Sequence, residues 1–241
     1  KKRVTSAWCS SLRSWDACGA PHAGVRFQEF NIEISLLILG WLLGLLSPRI
    51  VSSIKDHYER NLFFKSAQAE LLDLQYRLAF VEFILAQKFG VIDKEHLAEI
   101  RKIIFDYEYT DDAKATITII DAILKSSDDN LDAISQNLKA DSGYGLNLKN
   151  YSTLFIDANG SKISKLPNDI QFKIYDFKNN LSFLNQDINL AKECHKLTFD
   201  SAISSHNHAR LVNDIKSQYS ELQKSCRAVR NKIQIILESN I

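Results

Sequence analysis

The chain has 241 residues, a formal net charge of +1, three prolines, eight glycines, four cysteines and no methionine. That length holds one large domain or two small ones, and the near-neutral balance excludes the broad basic field of a nucleic-acid surface, so no nucleic acid is expected as a partner. With so few helix breakers and turn residues, the composition predicts an all-α fold of long helices.

Residues 1–30 carry five Lys/Arg against Asp16 and Glu29, residues 31–54 hold only Glu33 and Arg49, and the remainder is left with a charge of about −2. Residues 1–24 contain two of the three Trp and two of the four Cys but no hydrophobic period. Together with the missing methionine, this predicts a disordered tail over 1–30 that is not translated in the native protein, with Val25 as an alternative initiator. A peptide containing Trp8 or Trp15 in the mature protein refutes that expectation.

Fifteen uncharged residues, Ile34 to Pro48, lie between Glu33 and Arg49. As a helix they span ~22 Å, short of the ~30 Å hydrocarbon core but extended by Phe27, Phe30 and Ile32 before and Ile50, Val51 and Ile54 after. Residues 31–54 therefore read as a single transmembrane anchor in a lipid bilayer, with Glu33 and Arg49 at its interfaces. A buried core helix and a cleaved signal peptide are the competing readings. Pro48 and Arg49 follow the apolar run directly and no A-x-A pattern is present, which argues against cleavage near Val51-Ser52-Ser53. Gly40 and Gly44 form a G-x-x-x-G pair suited to a transmembrane dimer contact. Pro48 cannot donate to the carbonyl of Gly44 and is expected to kink or break the helix there. Arg49, Lys55, Arg60 and Lys65 follow the anchor, which places the C-terminal region in the cytoplasm.

Residues 55–140 read as a helical bundle. A helix continues to Phe89, with Leu71, Leu74, Leu78, Val81 and Leu85 on one face, widened by Leu72, Phe80, Phe83 and Ile84, and Asp73–Arg77 paired on its polar side. Gly90 ends it. Asp93 caps a helix over Lys94–Tyr107 with Leu97, Ile100, Ile104 and Tyr107 inward, and Thr110 caps another over Asp111–Lys125. Asp128 or Asp129 opens a further helix to Leu138. Residues 141–167 read as an irregular connection, with Leu154–Ile156 extended and a tight turn at Asn159-Gly160.

The strongest periodicity lies in 168–241. Ile170, Ile174, Phe177, Leu181, Leu184, Ile188, Ala191 and His195 form one heptad series, and Leu211, Ile215, Tyr219, Leu222, Cys226, Val229, Ile233 and Ile236 form a second. Two such helices with a short connection make an antiparallel, coiled-coil-like hairpin.

No motif predicts catalysis, a cofactor or a metal: G-x-x-x-x-G-K, G-x-S-x-G and H-E-x-x-H are all missing. At the hairpin tip Cys194, His195, Asp200, His206 and His208 are metal-ligating types, but neighbours on a helix point ~100° apart, so capping and solvating the turn is the better account. Asp157 begins a stretch that resembles a calcium loop but lacks glycine at the sixth place and glutamate at the twelfth. Lys224, Arg227, Arg230 and Lys232 read as a solvated basic face near a helix C-terminus. Cys194 and Cys226 lie too far apart along the hairpin for a disulfide.

The segment Leu39-Gly-Trp-Leu-Leu-Gly-Leu-Leu-Ser-Pro48 followed by a charged helix, with Leu197-Thr-Phe-Asp200 in the hairpin, resembles a loose group of uncharacterised bacterial proteins. These have a short N-terminal anchor and a helical cytoplasmic part. The resemblance implies a single-pass protein of the bacterial inner membrane, and no activity or functional residues. The expected function is a scaffold or sensor that recruits an unknown protein partner and forms a homo-oligomer through its anchor or hairpin. The alternative is a membrane-active effector of toxin or phage-defence type.

Overall fold

The computed structural model describes residues 23–89, 93–107, 111–127, 130, 133, 148–200 and 204–239; the side chains of 23–33, of 88 and 89, of 111 and 112, and of 205 fall outside that description. Among the described residues there are seven helices and no strand: α1 (Ala23–Phe89), α2 (Lys94–Tyr107), α3 (Asp111–Lys125), α4 (Leu154–Ala158), α5 (Gly160–Ile163), α6 (Asn168–Leu197) and α7 (Ser205–Leu237). The all-α class is as the composition predicts. The chain divides into two compact units at Lys55–Asp56.

In the first unit α1 begins at Ala23, inside the stretch read as a tail, and runs through Pro48 without a break. Of the kink or break expected at Pro48, the break does not occur. The lost hydrogen bond to Gly44 is one rung in a 67-residue helix, and the turns on either side hold. Side chains from Ile34 to Lys55 are all exposed. A core helix buries one face, and this stretch buries none within its unit. The helix is long and apolar enough to cross a membrane.

In the second unit the C-terminal part of α1 is shared by two cores. Its Phe63, Leu71, Leu74, Leu78 and Leu85 join the seams of α6 and α7 in the larger core. Ala79 and Phe83 point to the other side and pack with Leu97, Ile100 and Ile104 of α2 and Ala113, Ile117, Ile120 and Ile123 of α3. Leu72 and Ile84, expected to widen the inner face, are exposed. α2 and α3 have the predicted bounds. Asp93 Oδ1 accepts the backbone N–H of Glu95 at 3.0 Å, the expected cap. In α3 a β-branched run, Thr116–Ile120, is tolerated because Ile117 and Ile120 enter the core while Thr118 Oγ1 donates to the Lys114 carbonyl at 2.8 Å. Gly90, Thr110, the cap at Asp128 or Asp129 and the helix to Leu138 lie outside the described residues, apart from isolated helical positions 130 and 133.

The hairpin forms as predicted. Seven members of the α6 series, Ile170 to Ala191, are buried, as are Tyr219, Leu222, Cys226, Val229, Ile233 and Ile236 of α7. Cross-links run in opposite senses along the two helices: Lys173 to Ser239, Lys232 to Asp176, Ser225 to Asp187 and His208 to Thr198. The pair is therefore antiparallel. Toward the tip the seam thins, and His195, Leu211 and Ile215 are half-buried.

The connection before the hairpin departs from expectation. Leu154–Ala158 is helical rather than extended, and the turn expected at Asn159-Gly160 is the junction of two short helices, with Asn159 between them and Gly160 starting α5. The cause is tertiary: the Glu70 carboxylate of α1 accepts the N–H groups of Phe155 at 2.8 Å and Ile156 at 3.0 Å, supplying the cap that Thr153 does not. Ile156 and Ile163 then enter the larger core.

Candidate functional site

Glu82 sits at the position of α1 that falls between Leu78 and Leu85 on the apolar face, four residues after one and three before the other. That placement buries a carboxylate completely. A buried charge needs partners, and two other helices supply them. Arg230 of α7, itself buried, donates from Nε to Glu82 Oε2 at 3.0 Å and from Nη2 to Glu99 Oε2 of α2 at 2.9 Å. Buried His96 of α2 places Nε2 within 2.5 Å of Glu82 Oε1, off the line of a hydrogen bond, and Nδ1 3.8 Å from Glu99 Oε2. The guanidinium fork thus clasps α1, α2 and α7 together. The hydrogen bond from Arg230 holds the Glu99 carboxyl below its ordinary value.

The clasp forms one wall of a groove of about 760 Å³ lined by α1, α2 and α7. Leu72, Ile103 and Leu237 give it apolar surface, and Glu99, Lys102 and Asp106 bring charge of both signs to it. Gln75 of α1 donates to Gln234 of α7 at 2.9 Å along the same wall. At one side Tyr107 stacks on Tyr76 with ring centroids 4.4 Å apart and donates to Asp73 at 2.9 Å. Tyr107 is therefore a surface-edge residue, not the inward one expected.

Arg230 is the main correction to the sequence reading. Its neighbours Lys224 and Lys232 are surface residues, but Arg230 follows Val229 into the core and meets Glu82. The signal that could have found the clasp was Glu82 itself, an acidic residue in register with Leu78 and Leu85. His96 carried no comparable mark.

The other candidates fall elsewhere. Gly40 and Gly44 lie on α1 with no atom within 4 Å of a Cβ built at either, so that helix face is open. Arg49 is exposed, and its carbonyl accepts from Ser52 Oγ at 3.0 Å. Glu33 is within α1, but its side chain lies outside the described residues. At the hairpin tip, the His208 ring pairs with the Thr198 carbonyl at 3.2 Å and His195 packs edge-on against Phe199. No grouping of metal-ligating residues occurs among the described residues. Asp157 pairs with Lys178 at 2.6 Å. Cys194 and Cys226 are both free thiols, and burial pushes that of Cys226 far up. No protein-family model, curated protein or solved structure matches the chain, so its own geometry carries the functional reading.

Proposed function

We propose that this chain is a single-pass protein of the bacterial inner membrane whose cytoplasmic helical region acts as a scaffold, receiving a segment of a partner protein in the groove beside Arg230. The observation that supports it most is the helical stretch Ile34–Ile54, apolar and without one buried residue. So much exposed apolar surface needs a lipid or protein cover. The Val51-Ser52-Ser53 stretch lies inside the unbroken α1, which favours a retained anchor over a cleaved leader. Basic residues after the segment favour a cytoplasmic C-terminal region. The groove's apolar lining with mixed charge suits a peptide segment better than a polyanion.

Alkaline extraction of membranes and protease protection test the anchor and its orientation. Retention in the pellet with a C-terminus protected in intact spheroplasts is the expected result. Release into the soluble fraction refutes anchoring, and digestion of the C-terminus refutes the orientation. Leu72→Glu, at an exposed groove position, is expected to abolish partner co-purification without lowering thermal stability. Unchanged co-purification removes the groove from the proposal.

The second reading, a membrane-active effector oligomerising through its anchor, is favoured by the open face at Gly40 and Gly44. Growth arrest on expression that disappears when these glycines are replaced distinguishes it from the first.

A further inference from the structure

The groove beside Arg230 has two unlike ends. Bonds across it fix the register: Arg230 meets Glu82, Gln75 meets Gln234, Gln68 donates to the Leu237 carbonyl and Tyr107 donates to Asp73. α2 and α7 therefore both run antiparallel to α1 and reach their C-termini at one end of the groove, where Tyr107 and Leu237 line it. The other end is closed by the clasp, and there the Arg230 charge is taken up by Glu82 and Glu99.

At the open end negative charge gathers from both walls. Asp106 of α2 and Glu238, the residue that follows α7, are exposed and line the groove. Asp106 has no ion-pair partner among the described residues, and Glu238 accepts only a neutral donor there, the Gln234 amide at 2.7 Å. The two helix C-termini add partial negative charge, and neither α2 nor α7 carries a basic residue in its last turn to offset it. Lys102, and Lys65 one turn before Ala69, compensate part of this. With Glu82 and Glu99 behind them, the carboxylates still outnumber the bases.

We propose that the occupant is a short helical segment of a partner protein, with apolar side chains on one face and an arginine at the end that lies between Asp106 and Glu238. The partner's chemistry rests on the groove being the docking site proposed above. Floor and walls are helices, with no strand edge among the described residues, so an extended peptide finds no backbone partners whereas a helix satisfies its own. The walls from Glu99 to Tyr107 and from Arg230 to Glu238 each run ~12 Å at helical rise, the length of about two turns. Leu72, Ile103 and Leu237 cover the apolar face of such a helix. Its arginine meets two carboxylates and the Tyr107 ring, which is 36% exposed. A guanidinium suits that set better than an ammonium, because it stacks on aromatic faces and bonds carboxylates through a planar fork. A phospholipid or an acidic peptide brings like charge to the same place.

Random twelve-residue peptides displayed on phage, selected against the full chain in detergent, supply the probe. Enriched peptides are resynthesised and their affinity is measured by fluorescence anisotropy. They are expected to combine apolar residues three and four apart with an arginine, and to lose binding to Leu72→Glu. Asp106→Lys with Glu238→Lys, both at exposed positions, lowers their affinity roughly tenfold or more with the thermal midpoint unchanged. Selection repeated on that double variant enriches acidic residues in place of arginine. Peptides without a basic residue, or an affinity that survives the charge reversal, overturn the arginine and leave the groove as a docking site. A selection that yields no peptide dependent on Leu72 overturns both readings. So does Leu72-dependent binding of phosphatidylglycerol vesicles, which gives the groove to lipid, or Leu72-dependent self-association, which gives it to a second copy.

Discussion

Arg230→Met tests whether the buried clasp is structural. The substitution keeps an apolar stem of similar length but removes the bonds to Glu82 and Glu99. Glu99 then turns outward, since its side chain is already 47% exposed, whereas Glu82 has no solvent to turn to. Removing one side of a buried ion pair costs about 3–5 kcal/mol, because the remaining charge is uncompensated. For a domain of this size that lowers the unfolding midpoint by roughly 6–20 °C. The double variant Glu82→Leu, Arg230→Met removes both charges and is expected to recover at least ~2 kcal/mol relative to the sum of the single changes. Thermal and urea unfolding of the full chain in detergent at pH 7, followed by circular dichroism, reads all four corners of the cycle. An Arg230→Met protein within ~1 kcal/mol of the parent, or strictly additive changes, refutes the clasp as described. The pH dependence supplies an independent check. Because Arg230 holds the Glu99 carboxyl below its ordinary value of 4.5, its contribution is present above that pH and is lost as pH falls through the depressed value. Solvent screening keeps this contribution small, and it disappears in Arg230→Met.

The remaining predictions concern other parts of the chain. Glu70→Ala is expected to cost about 1–3 kcal/mol by orphaning the Phe155 and Ile156 N–H groups, and to open residues 148–163 to limited proteolysis; a cleavage pattern like that of the parent contradicts the tertiary cap. In native protein with Cys9 and Cys18 replaced by serine, maleimide labels Cys194 while Cys226 stays unmodified until unfolding, and equal labelling rates contradict the burial of Cys226. Gly40→Ile with Gly44→Ile leaves the helical content intact, since neither Cβ meets an atom of the chain. Cross-linking in membranes that is unaffected by the pair removes these glycines as an anchor contact.

The sequence was most legible where one local rule and one tertiary surface agree. The α6 and α7 seams show this, because a heptad stripe and the hairpin core are the same set of residues. So does α2, where Asp93 and the spacing of Leu97, Ile100 and Ile104 mark its start and inner face. Legibility failed where the deciding partner is distant. The α4 helix looks extended from Leu154-Phe155-Ile156 because its cap, Glu70, is 85 residues away. Arg230 reads as one more base on a polar helix end until Glu82, 148 residues earlier, is seen to share its site. Pro48 shows the converse, since a strong local breaker is carried through by the turns around it.

The division of the second unit's interior between two faces of α1 sets how this protein opens. The α2–α3 layer is held by a core of nine buried residues among those described, by the His96 and Glu99 contacts and by Tyr107 against Tyr76 and Asp73, apart from the larger core that joins α1 to the hairpin. It therefore forms a unit of exchange in its own right. Amides of α2 and α3 are expected to gain deuterium together, at an opening free energy below that of the seam amides of α6 and α7, and uniform exchange of both sets in hydrogen-exchange mass spectrometry contradicts this. On that basis the reversible opening of the layer, rather than unfolding of the chain, is what would bring the Glu82 carboxylate to water.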